Sequence, residues 1–510
     1  MGARNSRRMI MMIDEDDDSV SRIEDTSEDS DSIESDLDSN EQSFVDMLHN
    51  LISSGQIILG NDEFCNNRRL PKIKYIPDTS IIDKSEFSIL TKQACGLLPP
   101  KRRFKNTNNV TALLRNRESG LYKEENFSKA SKCKIGSQYL PNDIVDTLKN
   151  SSGKMFCGIF SDDGNTFLTA SQDRSIKLYN SSNSSYEIPD GQNFVYSTWS
   201  SSLHMCPVHG SSDHQEPLTI LNICRRFCVF SVVYSSDGNE LVCGANDGSL
   251  YVYNLEVQNR TLKIPAHDYD VNRVLFADNS SHIIYSGGDD GLVKVWDRRT
   301  LDDKHAKPVG LLAGHMDGIT YIDSRGDGRH LISNSKDQSI KLWDVRVFSN
   351  EEAAVQSLRA VRNQPWDYRW QGVPKELYQD NKLEGDTSIM TYKGHVVAKT
   401  LVRARFSPAE TTGQRYIYTG CGNGRVVIYD ALTGKVVKQL KLHTSCVRDV
   451  SWHPTRNEIL SSSWDGLVGR WVYKPSISFH DSDMDEHKEA FIPLRRSARL
   501  AIQRLNRQSN

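Results

Sequence analysis

The sequence lacks any apolar run that approaches the roughly 18 residues needed by a membrane-spanning helix. Its first apolar stretch, residues 9–13, is too short for a secretory signal and runs directly into acidic residues. The ten cysteines are scattered, and several lie inside apolar runs such as Phe156-Cys157. We therefore expect reduced thiols, and a location in the nucleus, the cytoplasm or both.

A strong positive charge is also missing, since the formal net charge is −3 and the pI is about 6.5. This balance argues against a general nucleic-acid binder. Because the sequence has no phosphate-binding glycine loop and no nucleophile motif, we expect a non-enzymatic protein without catalytic residues or a cofactor. A zinc site can be imagined, but the ligand spacing matches no common pattern, so we expect no metal. The residues considered for it are Cys206, His209, His214, Cys224 and Cys228.

The sequence does contain one motif that recurs six times. A small residue is followed by any residue, by Asp or Asn, and then by an alternating apolar stretch that ends in Trp or Tyr. The Asp or Asn stands six positions before the aromatic residue in every copy, and alternation with a period of two indicates a half-buried strand. The copies are Ser171–Tyr179, Ala245–Tyr253, Gly288–Trp296, Ser335–Trp343, Cys421–Tyr429 and Ser463–Trp471.

Four histidines, His267, His315, His395 and His443, accompany the repeats. With them the repeat resembles the WD40 family, whose units of about 40–45 residues begin near Gly-His and end near Trp-Asp. The resemblance implies an all-β fold, a seven-bladed β-propeller over residues 131–475. Closing such small sheets into a ring protects their edges.

The resemblance also implies a buried hydrogen-bonded chain of His, Ser or Thr, Asp and Trp in each blade, whose partners make a buried carboxylate tolerable. Ser, His and Asp together can suggest a hydrolase. A catalytic site occurs once, however, and this set recurs, so we expect structural roles. The predicted members are His267, Asp290, His315, Ser333, Asp337, His395, His443, Asp465 and Trp471.

The second blade departs from the repeat. Phe194–Cys206 contains a pair of strands, with Ser200 and Cys206 at the Asp and Trp positions. Only 27 residues separate Tyr179 from Cys206, which is too few for a full four-stranded blade. We predict a degenerate blade that lacks much of its innermost strand, and a shortened variant with a damaged ring is the alternative.

The segments outside the repeats differ in composition. Residues 1–42 form an acidic tail that we expect to be disordered, because Asp14–Glu41 holds fourteen acidic residues and one arginine. Residues 43–55 predict an amphipathic helix that packs on the ring or enters a groove of a partner. Residues 56–130 predict a linker or extension packed on the ring. Residues 476–510 form a basic tail that is a nuclear signal, a contact for an acidic partner or a solubilising end.

The first six residues, Met1–Ser6, fit the N-myristoylation pattern with Gly2 as the acceptor. Arg7 and Arg8 could add a second, electrostatic signal, because one acyl chain alone anchors only marginally. We expect no stable membrane insertion.

An inserted loop, residues 347–386, interrupts the ring after the fifth blade's third strand. A loop of this length in a compact domain is usually functional or disordered. Its aromatic residues favour docking, either onto the propeller or onto a partner, and they are Trp366, Tyr368, Trp370 and Tyr378.

Two consecutive blades end in the same box. Trp296-Asp297-Arg298-Arg299 and Trp343-Asp344-Val345-Arg346 both read W-D-x-R, and an arginine there can form bidentate bonds that lysine cannot copy. The box resembles that of substrate receptors for cullin-4 RING ubiquitin ligases. In that family the arginine docks the propeller onto the ligase adaptor, the large damaged-DNA-binding protein subunit. Local bonding of the arginines to Asp297 and Asp344 is the alternative.

Longer stretches resemble the family of WD-repeat protein twenty-three, also called cullin-4-associated factor eleven. This resemblance implies a substrate-recognition subunit that presents a protein for ubiquitination and proteasomal degradation. The implied substrate class is a cap'n'collar bZIP transcription factor of the oxidative-stress response. The matching stretches are Phe230–Gly248, Ser286–Thr300, Leu331–Arg346, Trp366–Trp370, Met390–His395 and Val447–Pro454.

A substrate is expected on the face opposite the adaptor. Residues near the starts of the innermost strands would lie at the wide face or in the channel, and their excess of arginine suggests an acidic degron. Salt bridges within the ring are the alternative for these residues, which are Asn272, Arg273, Asp317, Arg403, Arg405 and Arg448. We expect no direct contact with nucleic acid. The competing function is a WD40 scaffold in RNA-processing or chromatin assemblies, without a role in a ligase.

Overall fold

The computed structural model describes residues 9–12, 75–98, 111, 114, 118, 129–149, 153–181, 193–208, 215–221, 227–302, 306–379 and 382–475. Its strands, β1 to β27 in chain order, form seven small sheets, which are the blades of a propeller. The predicted seven-bladed WD40 fold is therefore confirmed. Gly2, the predicted helix at 43–55 and the tail at 476–510 lie outside the described residues.

The third to sixth blades each have four antiparallel strands in sequence order, from the channel outward. In the third blade they are β9 Val229–Tyr234, β10 Glu240–Ala245, β11 Ser249–Asn254 and β12 Asn259–Pro265. In the fourth they are β13 Val271–Phe276, β14 Ile283–Gly288, β15 Val293–Asp297 and β16 Gly310–Leu312. In the fifth they are β17 Ile319–Ser324, β18 His330–Ser335, β19 Ser339–Asp344 and β20 Met390–Lys393. In the sixth they are β21 Ala404–Phe406, β22 Tyr416–Thr419, β23 Arg425–Asp430 and β24 Val436–Lys441.

The core consists of apolar layers between consecutive blades. Leu250 of the third blade and Val274 and Trp296 of the fourth belong to one such layer, and each is at most 1% exposed. The alternating pattern of each strand supplies these layers, because successive side chains point to opposite faces of a sheet. We call the upper face the one with the turns between second and third strands and the connections between blades. The lower face carries the other turns.

The seventh blade is completed by a strand from early in the chain. β25 Val447–Trp452, β26 Glu458–Ser463 and β27 Leu467–Val472 are joined by β2 Asp143–Lys149 as the outermost strand. The pairing of β2 with β27 is antiparallel, and Ile144 lies opposite Trp471. This strand closes the ring between the two ends of the repeat region. The first blade, by contrast, has three described strands, β3 Met155–Phe160, β4 Thr166–Ser171 and β5 Ile176–Asn180.

The second blade also takes a strand from far away in the sequence. Its own segment provides three strands, β6 Asn193–Ser197, β7 Ser202–Pro207 and β8 Glu216–Thr219. The innermost position is filled by β1 Met9–Met12, which pairs with β6 in parallel, with Met9 opposite Phe194 and Met12 opposite Ser197. β1 also contacts β3 and β9, the innermost strands on either side.

The second blade's own segment therefore lacks the inner strand, as predicted. The prediction did not include the replacement of that strand by β1. Residues 9–12 also depart from the prediction that all of residues 1–42 form a disordered tail. The reason is that a sheet edge inside the ring has backbone groups that need partners, and an apolar segment elsewhere in the chain can supply them.

The helices with described bounds are α1 Glu86–Ala94, α2 Lys129–Gly136, α3 Glu351–Arg362 and α4 Ala409–Thr412. Short 3-10 turns occur at Ile82–Lys84, Arg298–Thr300 and Lys375–Tyr378. In the described part of the chain, no helix is long and apolar enough to cross a membrane. The eight cysteines of that part are all buried and form no disulfide.

The described parts of the extension before the ring pack on its lower face. Phe87 of α1 is fully buried, lies edge-on to His330 with ring centroids 5.3 Å apart, and packs in the core cluster of the fifth and sixth blades. On α2, the thiol of Cys133 lies 3.3 Å from the carbonyl oxygen of Ala409 in α4. These contacts place α1 and α2 beneath the fifth and sixth blades, and Asn457 of the seventh blade donates to the carbonyl oxygen of Gly136 at 2.9 Å.

The inner strand of the second blade provides a test of the fold. A chain without residues 1–12 loses β1 and exposes the edge of β6, so we expect its melting temperature to fall by at least about 5 °C. A chain without residues 1–8 keeps β1 and should melt within about 2 °C of the full chain. The measurement is thermal unfolding followed by circular dichroism. Equal melting of both truncated chains would show that β1 adds nothing to the ring.

Candidate functional site

The repeated His, Ser, Asp and Trp residues form three complete networks, in the fourth, fifth and seventh blades. In the fifth blade the Nδ1 atom of His315 lies 2.8 Å from Asp337 and its Nε2 atom 2.7 Å from Ser333. The indole of Trp343 donates to the same Ser333 hydroxyl at 2.7 Å. The fourth and seventh blades repeat this arrangement with His267, Ser286, Asp290 and Trp296, and with His443, Ser461, Asp465 and Trp471.

Charge is tolerated in these networks because every polar group has a partner. Burial opposes the ionisation of Asp337, but attraction to His315 and Lys341, together with hydrogen bonds from His315 and Ser339, outweighs burial and holds the pKa of this carboxyl well below its usual value. In these three blades the network joins the connection that carries the histidine to the second and third strands. The geometry therefore agrees with a structural role.

The sixth blade corrects the expectation of one such chain in each blade. Position 423 is asparagine and the aromatic residue is Tyr429, so His395 bonds to the Tyr429 hydroxyl at 3.0 Å and to the amide oxygen of Asn334 at 2.9 Å. Burial lowers the pKa of His395 to about 4. A neutral histidine fits here because both bonding partners of His395, a tyrosine hydroxyl and an amide oxygen, are uncharged.

The first W-D-x-R box lies at the lower end of β15. Trp296 is buried, whereas the Arg299 side chain is 64% exposed. Its Nε and Nη2 atoms donate to the two oxygens of Asp297 at 2.9 and 2.7 Å. The side-chain bond from Arg299 lowers the pKa of Asp297 to about 2. The carboxylate thus stays charged and holds the guanidinium in one orientation.

The second box has the same geometry with more neighbours. Arg346, 59% exposed, donates to Asp344 from Nε at 3.2 Å and from Nη2 at 3.1 Å. Arg329, from the turn between β17 and β18, donates to the same carboxylate at 2.9 Å. Glu86 of α1 lies 2.5 Å from Arg329 and 3.5 Å from Arg346. The extension therefore contributes a carboxylate to the second box, and for the first box the described residues show no such contribution from α1.

A third D-x-R pair occurs on the inserted loop. Arg369 donates to Asp367 at 3.1 and 2.8 Å and is 60% exposed. Because the loop belongs to no blade, this bidentate pair is a property of the D-x-R sequence itself. The local bonding that was the alternative to docking is present in all three pairs. It orients each guanidinium without burying it, so the two interpretations do not exclude each other.

The predicted substrate-face arginines lie in the wall of the channel. Asp449 is fully buried between two of them, at 2.8 Å from Arg403 and 2.9 Å from Arg405. Burial opposes its ionisation, but Arg405 and Arg403 together hold the pKa of Asp449 below its usual value. Arg403 and Arg405 therefore form salt bridges within the ring, which was the alternative to an open substrate surface. Their side chains are 11% and 14% exposed.

Tyr321 of β17 is the centre of the arginine cluster. The guanidinium carbons of Arg273, Arg405 and Arg403 lie 4.5, 5.4 and 5.8 Å from its ring centroid. Arg273 donates to the Ser231 hydroxyl at 3.2 Å and to a carbonyl oxygen at 3.4 Å. Burial lowers the pKa of Arg273 and the neighbouring arginines lower it further, while Tyr321 and Asp323 oppose this shift.

The remaining predicted substrate-face residues are held by the ring. Arg448 is 1% exposed, with its guanidinium 5.2 Å from the Phe156 ring. Asn272 donates to Asp289 at 2.5 Å and to the Ile319 carbonyl at 2.7 Å. Asp317 accepts a bond from the insertion. These three residues therefore do not form the open surface that the sequence suggested.

The insertion covers part of the upper face. Trp366 donates from its indole to Asp317 at 3.1 Å, and the carbonyl of Tyr368 accepts from the Lys399 amide at 2.7 Å. Burial raises the pKa of Asp317 to about 6. Lys336 lies 4.2 Å above the Tyr368 ring. The aromatic residues of the insertion were predicted to dock onto the propeller or onto a partner. Trp366 and Tyr368 contact the propeller.

Sequence reasoning missed the accessible residues of this loop. Trp370 is 78% exposed beside Arg369, since the docked Trp366 and Tyr368 leave the end of the turn facing solvent. The available signal was the D-x-R motif inside Trp366–Trp370. Of the residues considered for zinc, His209, His214 and Cys224 lie outside the described residues. The described part of the chain contains no group of three or more side chains that could hold a metal ion.

Comparison with known proteins gives one family model and several curated relatives. The WD domain, G-beta repeat model matches residues 143–180, 216–254, 258–297, 306–344 and 434–471. A DDB1- and CUL4-associated factor 11 homolog from Caenorhabditis elegans is 41% identical over 72% of this chain and 71% of its own length. Its Caenorhabditis briggsae counterpart is 36% identical over 85% and 79%. The LEC14B protein of Lithospermum erythrorhizon is 40% identical over 71% and 82%.

The docking of the insertion can be tested with two tryptophans four residues apart. Trp366→Ala removes the bond to Asp317, and we expect it to destabilise the loop by about 2 kcal/mol and to accelerate its cleavage by trypsin. Trp370→Ala removes an exposed side chain and should change stability by no more than about 0.5 kcal/mol. Limited proteolysis read by mass spectrometry measures both. Equal cleavage rates would mean that Trp366 does not anchor the loop.

Proposed function

The chain belongs to the family of the DDB1- and CUL4-associated factor 11 homologs, and we propose that it is a substrate receptor bound through DDB1 to a CUL4 ubiquitin ligase. The names of its relatives support this association. The observation that carries the assignment of a docking site is the pair of exposed, oriented arginines, Arg299 and Arg346, on adjacent blades of one face.

The two arginines suit a protein interface for a physical reason. Asp297 and Asp344 occupy Nε and Nη2 of the two guanidiniums, which leaves the Nη1 edge for a partner's carboxylate or carbonyl. A guanidinium already held in one rotamer loses less conformational entropy on binding than a mobile one. Arginine is also among the residues that most often dominate interface energies.

The lower face around these arginines is built partly by the extension. Arg298 pairs with Glu240 of the third blade, and Glu86 of α1 pairs with Arg329 beneath the fifth blade. The proposed DDB1 surface therefore reaches from the third blade to α1. The predicted helix at 43–55, outside the described residues, is proposed as a further contact.

The receptor contributes proximity and orientation, while the other subunits supply the chemistry. We place the substrate on the upper face, where Arg369 and Trp370 project from the docked insertion. A bZIP factor of the stress response as substrate, and action in the nucleus or cytoplasm, remain predictions from the family resemblance. So does modification of Gly2.

The docking proposal is tested with a double variant. Arg299→Ala with Arg346→Ala should weaken binding of purified DDB1 at least about thirtyfold, or about 2 kcal/mol, because both oriented guanidiniums are lost. Arg369→Ala is the matched control, since it removes the same D-x-R pair from the upper face. Surface plasmon resonance gives the affinities, and thermal melting checks the fold.

Two other outcomes would redirect the proposal. Unchanged DDB1 affinity in the double variant would remove the W-D-x-R arginines from the interface. An absence of DDB1 binding by the unaltered chain would favour the scaffold in RNA-processing or chromatin assemblies. Lysine at both positions should restore little affinity, because an ammonium cannot form the bidentate pair with aspartate.

A further inference from the structure

Residues 367–371 of the inserted loop form a short turn that is closed by its own hydrogen bonds. The carbonyl oxygen of Asp367 accepts from the amide of Trp370 at 3.3 Å and from the amide of Gln371 at 2.9 Å. The side-chain oxygen of Gln371 in turn accepts from the Asp367 amide at 3.0 Å. The two ends of the turn are therefore tied to each other.

The propeller holds this turn on its upper face at two points. Directly before the turn, Trp366 donates from its indole to Asp317 of the fifth blade at 3.1 Å. Inside the turn, the carbonyl oxygen of Tyr368 accepts at 2.7 Å from the amide of Lys399, in the connection to the sixth blade. Lys336 lies 4.2 Å above the Tyr368 ring. The turn is thus fixed both internally and to the ring.

These contacts leave Trp370 and Arg369 as the side chains that the turn presents to solvent. Trp370 is 78% exposed, and no other large apolar side chain of the described residues has a larger exposed fraction. Arg369 is 60% exposed, whereas its bidentate partner Asp367 is 36% exposed. A ligand that approaches the turn therefore meets an apolar ring next to a cation that is more accessible than its counterion.

The guanidinium of Arg369 is oriented but keeps free donors. Asp367 accepts from its Nε and Nη2 atoms at 3.1 and 2.8 Å, which leaves the Nη1 edge for an acceptor outside the turn. Two other carboxylates act on Arg369, those of Asp289 and Asp270. Asp289 is paired with Lys336 at 2.9 Å, and Asp270 is half-buried. A carboxylate is the strongest acceptor for the open edge, because charge-assisted hydrogen bonds are stronger than neutral ones.

The mixed charge of this face favours a peptide over an anionic membrane. Asp268 is 59% exposed beside Arg362, which is 63% exposed, in the neighbourhood of the fourth blade. Exposed acids between the arginines repel a continuous negative surface, but they do not hinder a ligand that places one carboxylate at Arg369. Tryptophan and arginine are also the residue types that most often dominate the energetics of protein interfaces.

We propose that Arg369 and Trp370 are the anchor for a substrate segment in which an acidic residue stands next to an apolar one. The guanidinium binds the carboxylate, and the indole packs on the apolar side chain. The proposal rests on the receptor function proposed above and adds to it the chemistry of the substrate. Because the turn is fixed before binding, little conformational entropy is lost when the segment docks.

The test begins with a phage library of random dodecapeptides selected on the full chain. We expect the enriched peptides to carry Asp or Glu next to an apolar residue. The consensus peptide is synthesised with a fluorescein label, and fluorescence anisotropy measures its affinity. Arg369→Ala and Trp370→Ala should each weaken binding at least about tenfold. Arg362→Ala is the matched control, since it removes another exposed arginine of the upper face, and it should leave the affinity unchanged.

Two further variants test whether the fixed geometry contributes. Asp367→Asn keeps Arg369 but removes the carboxylate that orients it, and Trp366→Ala keeps both anchor residues but releases the turn from the ring. Each should weaken peptide binding by about threefold to tenfold, the cost of ordering the anchor during binding. Trp370→Phe should recover part of the affinity that Trp370→Ala loses, because phenylalanine retains an apolar ring. Thermal melting checks the fold of every variant.

DDB1 binding is measured in parallel, so that failure of this proposal and failure of the receptor function can be distinguished. Arg369→Ala should keep its DDB1 affinity, and the double variant Arg299→Ala with Arg346→Ala should keep its peptide affinity. The proposal is overturned by enriched peptides without a carboxylate, by the absence of enrichment, or by peptide affinity that neither anchor substitution changes. Trp370-dependent binding to phosphatidylserine vesicles, or to a second copy of the chain, in place of the peptide would also overturn it.

Discussion

The need of every strand edge for a hydrogen-bonding partner is the constraint on which the rest of this molecule depends. A blade of three or four strands has two edges and little core of its own, so the blades are stable only in a closed ring. Two strands from early in the chain complete that ring. β2 supplies the outer strand of the seventh blade, and β1 supplies the inner strand of the second. The two additions put the chain at different places, one at the rim and one beside the channel.

The path of the early chain links the fold to the candidate surface on the lower face. The extension that leads to β2 packs beneath the fifth to seventh blades, where Glu86 reaches the second W-D-x-R box. The described parts of the N-terminal region thus complete the ring and support its lower face.

Ion pairs serve different purposes at different depths in this protein. On the surface, the D-x-R pairs hold exposed guanidiniums in one orientation while one edge stays open. In the blades, the buried carboxylates are satisfied by histidine and hydroxyl groups and join strands together. In the channel, Asp449 forms ion pairs with Arg403 and Arg405. The first arrangement favours a protein partner, and the second and third favour rigidity.

Much of this follows from the sequence alone. The repeated motif, its period of two and its histidines identify the propeller, because local patterning and burial determine blade structure. The D-x-R pairs are also readable, since they form between neighbours in sequence. The shortened second blade was visible as a gap. The resemblance to WD40 repeats also assigned His315, Ser333 and Asp337 to one network.

Other features were decided by the tertiary structure. Nothing in Met9–Met12 indicates which of seven edges it will join, because backbone hydrogen bonding is largely independent of side-chain identity. The arginines near the inner strands were predicted to form one open surface. In the structure Arg403 and Arg405 form ion pairs with Asp449, and Arg448 is buried. Trp366 and Trp370 are the same residue type and lie four positions apart in sequence. Only the folded loop decides that Trp366 bonds to the propeller while Trp370 stays exposed. Periodicity specifies what each segment becomes, whereas contacts between segments distant in sequence depend on the closed ring that brings them together.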